Sequence, residues 1–567
     1  RALTANTTAS NNIAVGSYAL TANTTGVDNV AVGYQSLDAN TTANNNTGIG
    51  RDALSATITG SGNTGVGAYA LQLNTTGADN VSIGRNSLYS NTTASNNTAV
   101  GTSALFATTT GHSNVAMGAD TLDANTTGSA NTSLGKGSMT TNTTGANNVA
   151  VGKSALEANT TANYNTAVGE RSMVDNTTGA NNVAVGSQSL TNNTTASNNV
   201  AVGYSAILDN TTGESNVAVG NFALSNNTTA AFNTAVGNTA LLTNTTGASN
   251  TGIGRNALYY NTTGAGNTAV GATALQANTT ATNNTAVGMQ ALQANTTASF
   301  NTAVGDKSLY SSTTGAGNNT AIGHQSLYST TTGSINSGIG LNTMYTNTTG
   351  TQGTAVGHRS MFGHTTGTGN TAIGIESANS ITTGSFNTML GRYTGDSLTT
   401  GNYNTHIGND TDVSGATVEF TVAIGHGAVD KGTNTGMINP TSGVYQGNNS
   451  ASWSTTSDRR IKKNIEDNND GLNAINQVQV KNFEYRTEDE IIDFDNPKSA
   501  VVNKQGVQLG VIAQEIQSIL PDMVKEESTG VLSVNPDNMT WHLVNAVKEL
   551  SAQVTALTER LTTLEGE

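Results

Sequence analysis

The chain of 567 residues contains no cysteine, four prolines and few charges. Without cysteine it has neither a disulfide framework nor a thiolate site. Cysteine usage therefore does not distinguish an oxidising from a reducing compartment. Only 10% of its residues are charged, fewer than an ordinary globular surface carries, and the net charge of -15 argues against nucleic acid or an anionic membrane as partner. No apolar run approaches the roughly 18 residues of a membrane-spanning helix, which argues against membrane insertion.

Proline is absent from residues 1–439, since all four prolines lie at or after Pro440. This absence indicates a structure that uses every backbone N–H as a donor. Charge also divides the chain: residues 1–456 carry 29 charged residues, whereas residues 457–567 carry 30. The chain opens at Arg1 without an initiator methionine or a signal peptide, which predicts a processed product or a fragment that has lost an upstream attachment region.

The first part of the chain is a repeat in which glycine returns at every seventeenth position. The series runs from Gly16 to Gly305, and after one residue inserted at 318–319 it continues to Gly425, which makes 25 registers. The residue before each glycine is Val, Ile, Leu or Met, and Asn stands four residues before the glycine in 23 registers. As far as Met361, the residue four after the glycine is Leu, Met or Ile.

This repeat predicts stacked β-strands, because Gly, Asn and Thr are poor helix formers and no helical stripe is present. Each coil offers two large apolar positions, whose burial would contribute about 3 to 6 kcal/mol against an ordering cost of roughly 17 to 34 kcal/mol. Single coils are therefore unstable, and stacking must supply ladder hydrogen bonds and columns of identical Val, Leu and Asn residues. We predict a mostly β fold, a parallel β-roll or β-solenoid of 17-residue coils.

Two other interpretations of the repeat are weaker. Its low complexity suggests disorder, but a disordered chain has no reason to keep an apolar residue at one phase in 25 registers. The Asn-Thr-Thr units match the N-glycosylation acceptor, but in so dense a repeat the match is better explained by the ladder.

The recurring Asn-x-Ala-Val-Gly run resembles the head repeats of trimeric autotransporter adhesins. Those repeats form a left-handed parallel β-roll with three chains packed around an axis. The resemblance implies a homotrimer in which small residues mark where the chains meet. Because those repeats are usually shorter than the repeat of this chain, it supports a parallel roll or solenoid more firmly than a particular cross-section.

Residues 457–567 have ordinary charge density and amphipathic elements. They begin with the sequence SDRRIKKNI, and the motifs FEY, GVIAQEI and LP follow in that order. Apolar residues at spacings of four and three then form a heptad seam, which predicts a coiled coil over about 540–565. The seam consists of Leu543, Val547, Leu550, Val554, Leu557, Leu561 and Leu564.

This order of motifs resembles the endosialidase-type C-terminal intramolecular chaperone domain, a serine-lysine self-cleaving peptidase at the ends of phage tail fibres and tailspikes. The resemblance covers the whole of 457–567. It implies a small α+β domain that trimerises, guides folding of the preceding β-structure and is then released by a cut between Thr456 and Ser457. Ser457 would be the nucleophile and Lys462 the general base, with Asp458 and Arg460 completing the S-D-x-R-x-K pattern.

The residue chemistry is consistent with this assignment. A serine hydroxyl needs an adjacent base, and lysine serves as one only where its site favours the neutral amine. Arg459, Arg460 and Lys463 are cations close in sequence to Lys462, whereas the role of Asp458 is open and includes turn formation. Without the full motif, the default interpretation of the segment around Lys462 is a solvated run of charges. The default interpretation of the heptad seam is an ordinary two-stranded zipper.

No cofactor or metal site is predicted. The seven histidines, which we expect at the surface, include no His-x-His pair, and Asp410 and Asp412 suit a turn better than a calcium loop. No carboxylate pair stands out as a glycosidase dyad, although a site assembled between chains would escape a single sequence. The only enzymatic activity predicted is self-cleavage, with no turnover of an external substrate.

The sequence thus predicts three regions: a repeat shaft over 1–425, an irregular tip or linker over 426–456, and the chaperone over 457–567. The shaft loses its Leu column after Met361, and aromatic residues appear beyond it. We expect these to contact a host receptor, with a capping and linking role as the alternative. The proposed contacts are Phe420, Tyr445 and Trp453.

We therefore predict a phage tail-fibre protein, made in the host cytoplasm and carried on the extracellular virion. Its partners would be two further copies of itself, a glycan or protein receptor on the host cell, and tail or baseplate proteins bound through an upstream region. A tailspike that depolymerises polysaccharide shares the chaperone, but the regular, charge-poor shaft disfavours it. A bacterial trimeric adhesin is suggested by the shaft alone, and adhesins of that kind end in a membrane anchor.

Overall fold

The computed structural model describes residues 1–315, 317–440, 457–492, 501–502, 504–527 and 530–566. Contacts divide the chain into two compact units, Arg1–Asn336 and Ser337–Glu567. The fold is mostly β, as predicted: a parallel β-solenoid of about 25 turns, followed by a small α/β region. The boundaries at 425/426 and 456/457 stay predictions.

Each solenoid turn of the first unit contributes one three-residue strand, paired in parallel and in register with the strands of adjacent turns. The inserted residue leaves this register intact, because Thr302 still pairs with Thr320. Strands β1 to β19 are Ile13–Val15, Val30–Val32, Thr47–Ile49, Thr64–Val66, Val81–Ile83, Thr98–Val100, Val115–Met117, Thr132–Leu134, Val149–Val151, Thr166–Val168, Val183–Val185, Val200–Val202, Val217–Val219, Thr234–Val236, Thr251–Ile253, Thr268–Val270, Thr285–Val287, Thr302–Val304 and Thr320–Ile322.

The second unit continues the same repeat through six strands, again parallel and in register. A seventh strand then pairs in parallel with the sixth after a separation of 14 residues instead of 17. Strands β20 to β26 are Ser337–Ile339, Thr354–Val356, Thr371–Ile373, Thr388–Leu390, Thr405–Ile407, Val422–Ile424 and Gly436–Ile438.

The solenoid core is built from one large and one small residue per turn. The middle strand residue, most often Ala, is buried from β2 to β25, and the residue four after the glycine is fully buried from Leu20 to Met361. The apolar residue before the glycine, expected as a second buried column, instead lies on the outer face; Val15 is 58% exposed and Ile49 40%. The expectation was wrong because side chains alternate along a strand, so a buried middle residue turns both neighbours outward.

The glycine column marks where adjacent turns come closest. Gly220 has φ 141°, and a Cβ added to it would lie 2.4 Å from the carbonyl oxygen of Gly237 in the next turn. No side chain fits there, which explains the unbroken column. Leucine follows this corner with φ 52° at Leu224, a left-handed conformation that costs roughly 1–2 kcal/mol and is held by core packing and by the ladder.

Two columns of buried asparagine run through the interior. In one, Asn29 Oδ1 accepts the backbone N–H of Asn46 at 3.0 Å, and Asn46 Nδ2 donates to the Gly60 carbonyl at 2.9 Å. In the other, Asn40 Nδ2 donates to Asn23 Oδ1 at 2.9 Å. These amides link each turn to the next inside the protein. The first column consists of the asparagines that precede the strands, and the second shows the structural role of the Asn-Thr-Thr units.

Towards its end the solenoid replaces one interior asparagine column with apolar residues. The leucine column ends with Met361, and the phase later holds Gly395, where an added Cβ would lie 2.6 Å from Met389 Sδ. Ile381 and Leu398 are buried at the phase that carries Asn in most earlier turns. Met389 thus occupies space that a leucine at position 395 would fill.

In its described residues, the C-terminal region combines short strands with three helices. Strands β27 (Lys481–Phe483) and β28 (Gln508–Gly510) form one antiparallel pair, and β29 (Val524–Glu526) and β30 (Leu532–Val534) form another. The helices are α1 (Leu472–Ile475), α2 (Ala513–Ile519) and α3 (Pro536–Glu565), with 3-10 turns η1 (Arg459–Ile461), η2 (Glu488–Glu490) and η3 (Pro521–Met523). Ile516, Leu520 and Met523 form the buried core. Among the described residues, no helix is long and apolar enough to cross a membrane.

Helix α3 spans the predicted coiled-coil segment and anchors distant parts of the region. Glu549 Oε2 accepts the backbone N–H of Leu472 at 2.9 Å, and Asn545 Nδ2 donates to the carbonyl of Asn468 at 2.8 Å. His542 adds a third link near the start of the helix. The heptad residues are exposed, so the partner helices of the coiled coil stay a prediction.

The expectation that all seven histidines lie at the surface is wrong for three of them. His112, His324, His358 and His426 are exposed, whereas His364, His406 and His542 are buried. The reason lies in the repeat: His364 replaces an asparagine of an interior column, and His406 occupies a middle strand position, 3.5 Å from Asp430 Oδ2. Composition alone does not reveal these phases.

Candidate functional site

Ser457 and Lys462 lie on either side of η1, and the turn brings their side chains together. Lys462 Nζ donates to Ser457 Oγ at 2.6 Å. The turn forms because the carbonyl of Asp458 accepts the N–H of Ile461 at 3.2 Å and the carbonyl of Arg459 accepts the N–H of Lys462 at 3.3 Å. A single 3-10 turn therefore closes the five-residue separation of the two predicted catalytic residues.

Asp458 and Arg460, the other two motif residues, form an ion pair on the same turn. Asp458 Oδ1 accepts the backbone N–H of Arg460 at 2.8 Å, and the guanidinium Nε lies 3.1 and 3.0 Å from the two carboxylate oxygens. The Arg460 side chain and then its backbone N–H lower the pKa of Asp458. Of the three cations near Lys462, the structure thus pairs Arg460 with a carboxylate, a contact that the sequence does not reveal.

The serine and the lysine are both exposed. A hydroxyl within hydrogen-bond reach of an amine has the geometry of a nucleophile and its base, provided that the amine is neutral when it accepts the proton. Thr456, on the other side of the predicted cut, lies outside the described residues. The structure therefore brings the two predicted catalytic side chains together, whereas their roles and the cleavage position stay predictions.

The predicted receptor contacts are only partly within the described chain. Phe420 is 53% exposed and stacks on Tyr403 with ring centroids 5.0 Å apart, and Tyr403 stacks on Phe386 at 5.2 Å. Tyr445 and Trp453 lie outside the described residues. Phe386 and Tyr403 are not among the predicted contacts, but they stand at the same phase of the repeat as Phe420, which is the sequence signal for this stack of rings.

Asp410 and Asp412, the carboxylates considered for a calcium loop, accept hydrogen bonds from neighbouring residues. Asp412 accepts the backbone N–H of Ser397 at 3.0 Å and its hydroxyl at 2.7 Å, which joins two adjacent turns. Asp410 accepts from the side chain of Asn409 at 2.7 Å. Within the described part of the chain, no group of three or more His, Cys, Asp or Glu residues has the arrangement of a metal site.

A comparison with protein-family models finds one similarity in this region. Residues 457–525 match the family described as chaperone of endosialidase. The match begins at Ser457, includes Lys462 and the turn between them, and ends within β29. The resemblance inferred from the sequence is therefore confirmed over this segment, and the chain combines a long parallel β-solenoid with a C-terminal segment similar to the chaperone of endosialidase.

Proposed function

We propose that this chain is the shaft and assembly domain of a trimeric phage tail fibre that adsorbs to a host-cell receptor. Its C-terminal region would align three chains, guide folding of the solenoid and then remove itself by a cut between Thr456 and Ser457. The observation that carries the proposal is the 2.6 Å contact between Lys462 Nζ and Ser457 Oγ, at the start of the segment that matches the chaperone family.

The proposed cut needs only a serine, a base and water. Lys462, as the neutral amine, takes the proton of Ser457 Oγ while the oxygen attacks the carbonyl carbon of Thr456. The C–N bond then breaks, the nitrogen of Ser457 takes a proton, and Thr456 is left as an ester on the serine oxygen. Water hydrolyses this ester, which leaves a carboxylate on Thr456 and restores the hydroxyl of Ser457.

Two exposed apolar surfaces support association with further copies. The residues before the glycines form a column on the outer face of the solenoid, and none of its described strands contains Lys, Arg, Asp or Glu. In α3 the heptad residues from Leu543 to Leu564 are exposed together. Uncharged apolar surfaces of this length are typical of protein–protein contacts.

The repeat supplies the physical reason for an assembly domain. Nearly identical turns can pair out of register between chains at little energetic cost. Strands that are poor in charge are also prone to aggregate before they have paired correctly. A C-terminal clamp that aligns three chains would fix the register. Its removal would leave the shaft kinetically trapped, which suits a structure that must survive outside a cell.

Intact mass spectrometry of the expressed chain tests the self-removal directly. We expect the wild type to yield two fragments, 1–456 and 457–567, whereas Ser457→Ala and Lys462→Ala stay whole. Native mass spectrometry of the same samples should show three copies per particle. A wild-type chain that stays whole contradicts the proposed cut but is still compatible with a C-terminal region that trimerises the chain. Wild-type monomers contradict that trimerising role.

Receptor binding is the second part of the proposal and is tested separately. Deleting residues 426–456 while keeping residues 457–567 should abolish adsorption of trimers to host cells if the irregular segment is the tip. The single change Phe420→Ala, at the end of the stacked Phe386 and Tyr403 rings, should weaken adsorption less. Unchanged adsorption after the deletion would favour the alternative, a segment that only caps and links.

A further inference from the structure

The turn that carries Ser457 and Lys462 is tied together by a side chain that takes no part in the proposed bond changes. Asp458 Oδ1 accepts the N–H of Arg460 at 2.8 Å, which caps the first turn of η1. The same carboxylate also receives the Arg460 guanidinium, with Nε 3.1 Å from Oδ1 and 3.0 Å from Oδ2. One acidic side chain thus restrains both the backbone and the side chain of a residue that lies between nucleophile and base.

We propose that Asp458 is a positioning residue for self-cleavage: it holds η1 in the conformation that keeps Lys462 Nζ beside Ser457 Oγ. This inference rests on the self-cleavage proposed above. A 3-10 turn this short is marginal in water, and none of the residues of η1 is buried. Packing therefore contributes little to the turn, and the cap by Asp458 supplies the order that the 2.6 Å contact requires.

The capping role and the charge of Asp458 can be separated by substitution. In Asp458→Asn the amide oxygen still accepts the N–H of Arg460, because asparagine caps helix starts about as well as aspartate. In Asp458→Ala both the cap and the ion pair are lost. Arg459→Lys changes a neighbouring exposed side chain of the same turn while it keeps both the positive charge and the cap, so it is the matched control.

The experiment follows cleavage of the full chain during cell-free translation by intact mass spectrometry, over a range of pH. We expect Asp458→Ala to cleave about tenfold more slowly than the wild type, the scale of losing an N-cap, and Asp458→Asn to stay within about threefold. Arg459→Lys should match the wild type. Asp458→Asn and Asp458→Ala lose the same charge, so their pH profiles should share one midpoint and differ in the rate plateau, because a positioning residue sets the plateau.

A merely structural role is tested in an uncleaved background. Ser457→Ala and the double variant Ser457→Ala with Asp458→Ala should form trimers of equal heat stability, because the restrained turn is exposed. A less stable double variant would overturn the inference in favour of a folding role. Wild-type cleavage rates in Asp458→Ala would overturn it as well, as would an Asp458→Asn variant as slow as Asp458→Ala. A wild type that never cleaves refutes the proposed function itself, which is a distinguishable result.

Discussion

The solenoid and the C-terminal region are held by contacts of different reach. In the solenoid, Asn46 bonds to Asn29 and Gly60, which are 17 and 14 residues away. In the C-terminal region, Glu549 in helix α3 bonds to Leu472 at a separation of 77 residues. A structure of repeated local contacts grows turn by turn and lacks a unique register between chains, whereas one built on a few distant contacts has a single arrangement. In the proposed trimer, we therefore assign the setting of the register to the C-terminal region.

The substitution expected to have the largest effect on stability lies in the glycine column of the solenoid. It tests whether the contacts of the solenoid are local. Gly220→Ala would place a Cβ 2.4 Å from the Gly237 carbonyl oxygen, in a backbone conformation that alanine rarely adopts. We expect adjacent turns to separate, with a local loss of more than about 4 kcal/mol. Hydrogen exchange should show the loss in Val217–Val219 and Thr234–Val236 and leave Thr64–Val66 unchanged, because each turn contacts only its neighbours.

A glycine at another phase provides the control. Gly137 also has a positive φ, 67°, but an added Cβ would lie 3.5 Å from its nearest neighbour, Thr140 Oγ1. Other turns carry residues such as Phe222 at this phase. Gly137→Asn should therefore change stability by less than about 0.5 kcal/mol. Equal damage from both substitutions, or damage spread over the whole solenoid, would contradict the turn-by-turn description.

The repeat made part of this structure predictable. Its constant period shows which residues stack, and it identified the columns that contain Gly220 and Leu224. The same period does not show which way a side chain faces within a turn, so the outward direction of Val219 was missed. In the candidate site, the motif predicted Ser457 and Lys462, but the cap by Asp458 depends on the conformation of one turn.

The next largest effect concerns the pH dependence of stability. The stability that buried histidines contribute should change with pH in opposite directions in the two regions. His364 Nδ1 donates to Asn347 Oδ1 at 3.0 Å, and Asn370 Nδ2 donates to its Nε2 at 3.2 Å, so the environment suits a neutral ring. Burial lowers the pKa of His364 to about 4, from 6.5 for an exposed histidine. Because the folded value lies below the unfolded one, this stability is present above about pH 6.5 and is lost as the pH falls towards 4.

The expected loss for the solenoid is of the order of 3 kcal/mol. Denaturant unfolding at several pH values measures it, and His364→Asn, which restores the asparagine column, should remove this part of the pH dependence. Carboxylates also titrate in the lower part of this pH range. The difference in stability between the wild type and His364→Asn at each pH therefore isolates the contribution of the histidine. Identical pH profiles for both proteins would contradict the role assigned to His364.

His542 should show the opposite and smaller response. Its Nδ1 lies 3.0 Å from the carbonyl oxygen of Asp470 and its Nε2 3.1 Å from Asp522 Oδ2, so both ring nitrogens face acceptors and the imidazolium fits. Burial lowers its pKa, but the Asp470 carbonyl and the Asp522 carboxylate outweigh burial and raise it. This contribution to stability is therefore complete below the unfolded value and is lost as the pH rises through the folded one. Asp522 is half-exposed, so screening keeps the effect small.

Trp541 provides a local signal for this change, because it precedes His542 in α3. In an uncleaved Ser457→Ala chain that also carries Trp453→Phe, the denaturation midpoint reported by Trp541 should fall between about pH 5.5 and about pH 8.5. The His542→Gln chain should show a flatter profile, since the amide does not titrate. A midpoint that rises with pH over this window would contradict the imidazolium assignment. A fall here together with a loss of solenoid stability at low pH would show that burial keeps the His364 ring neutral, whereas the acceptors around His542 hold a charged ring.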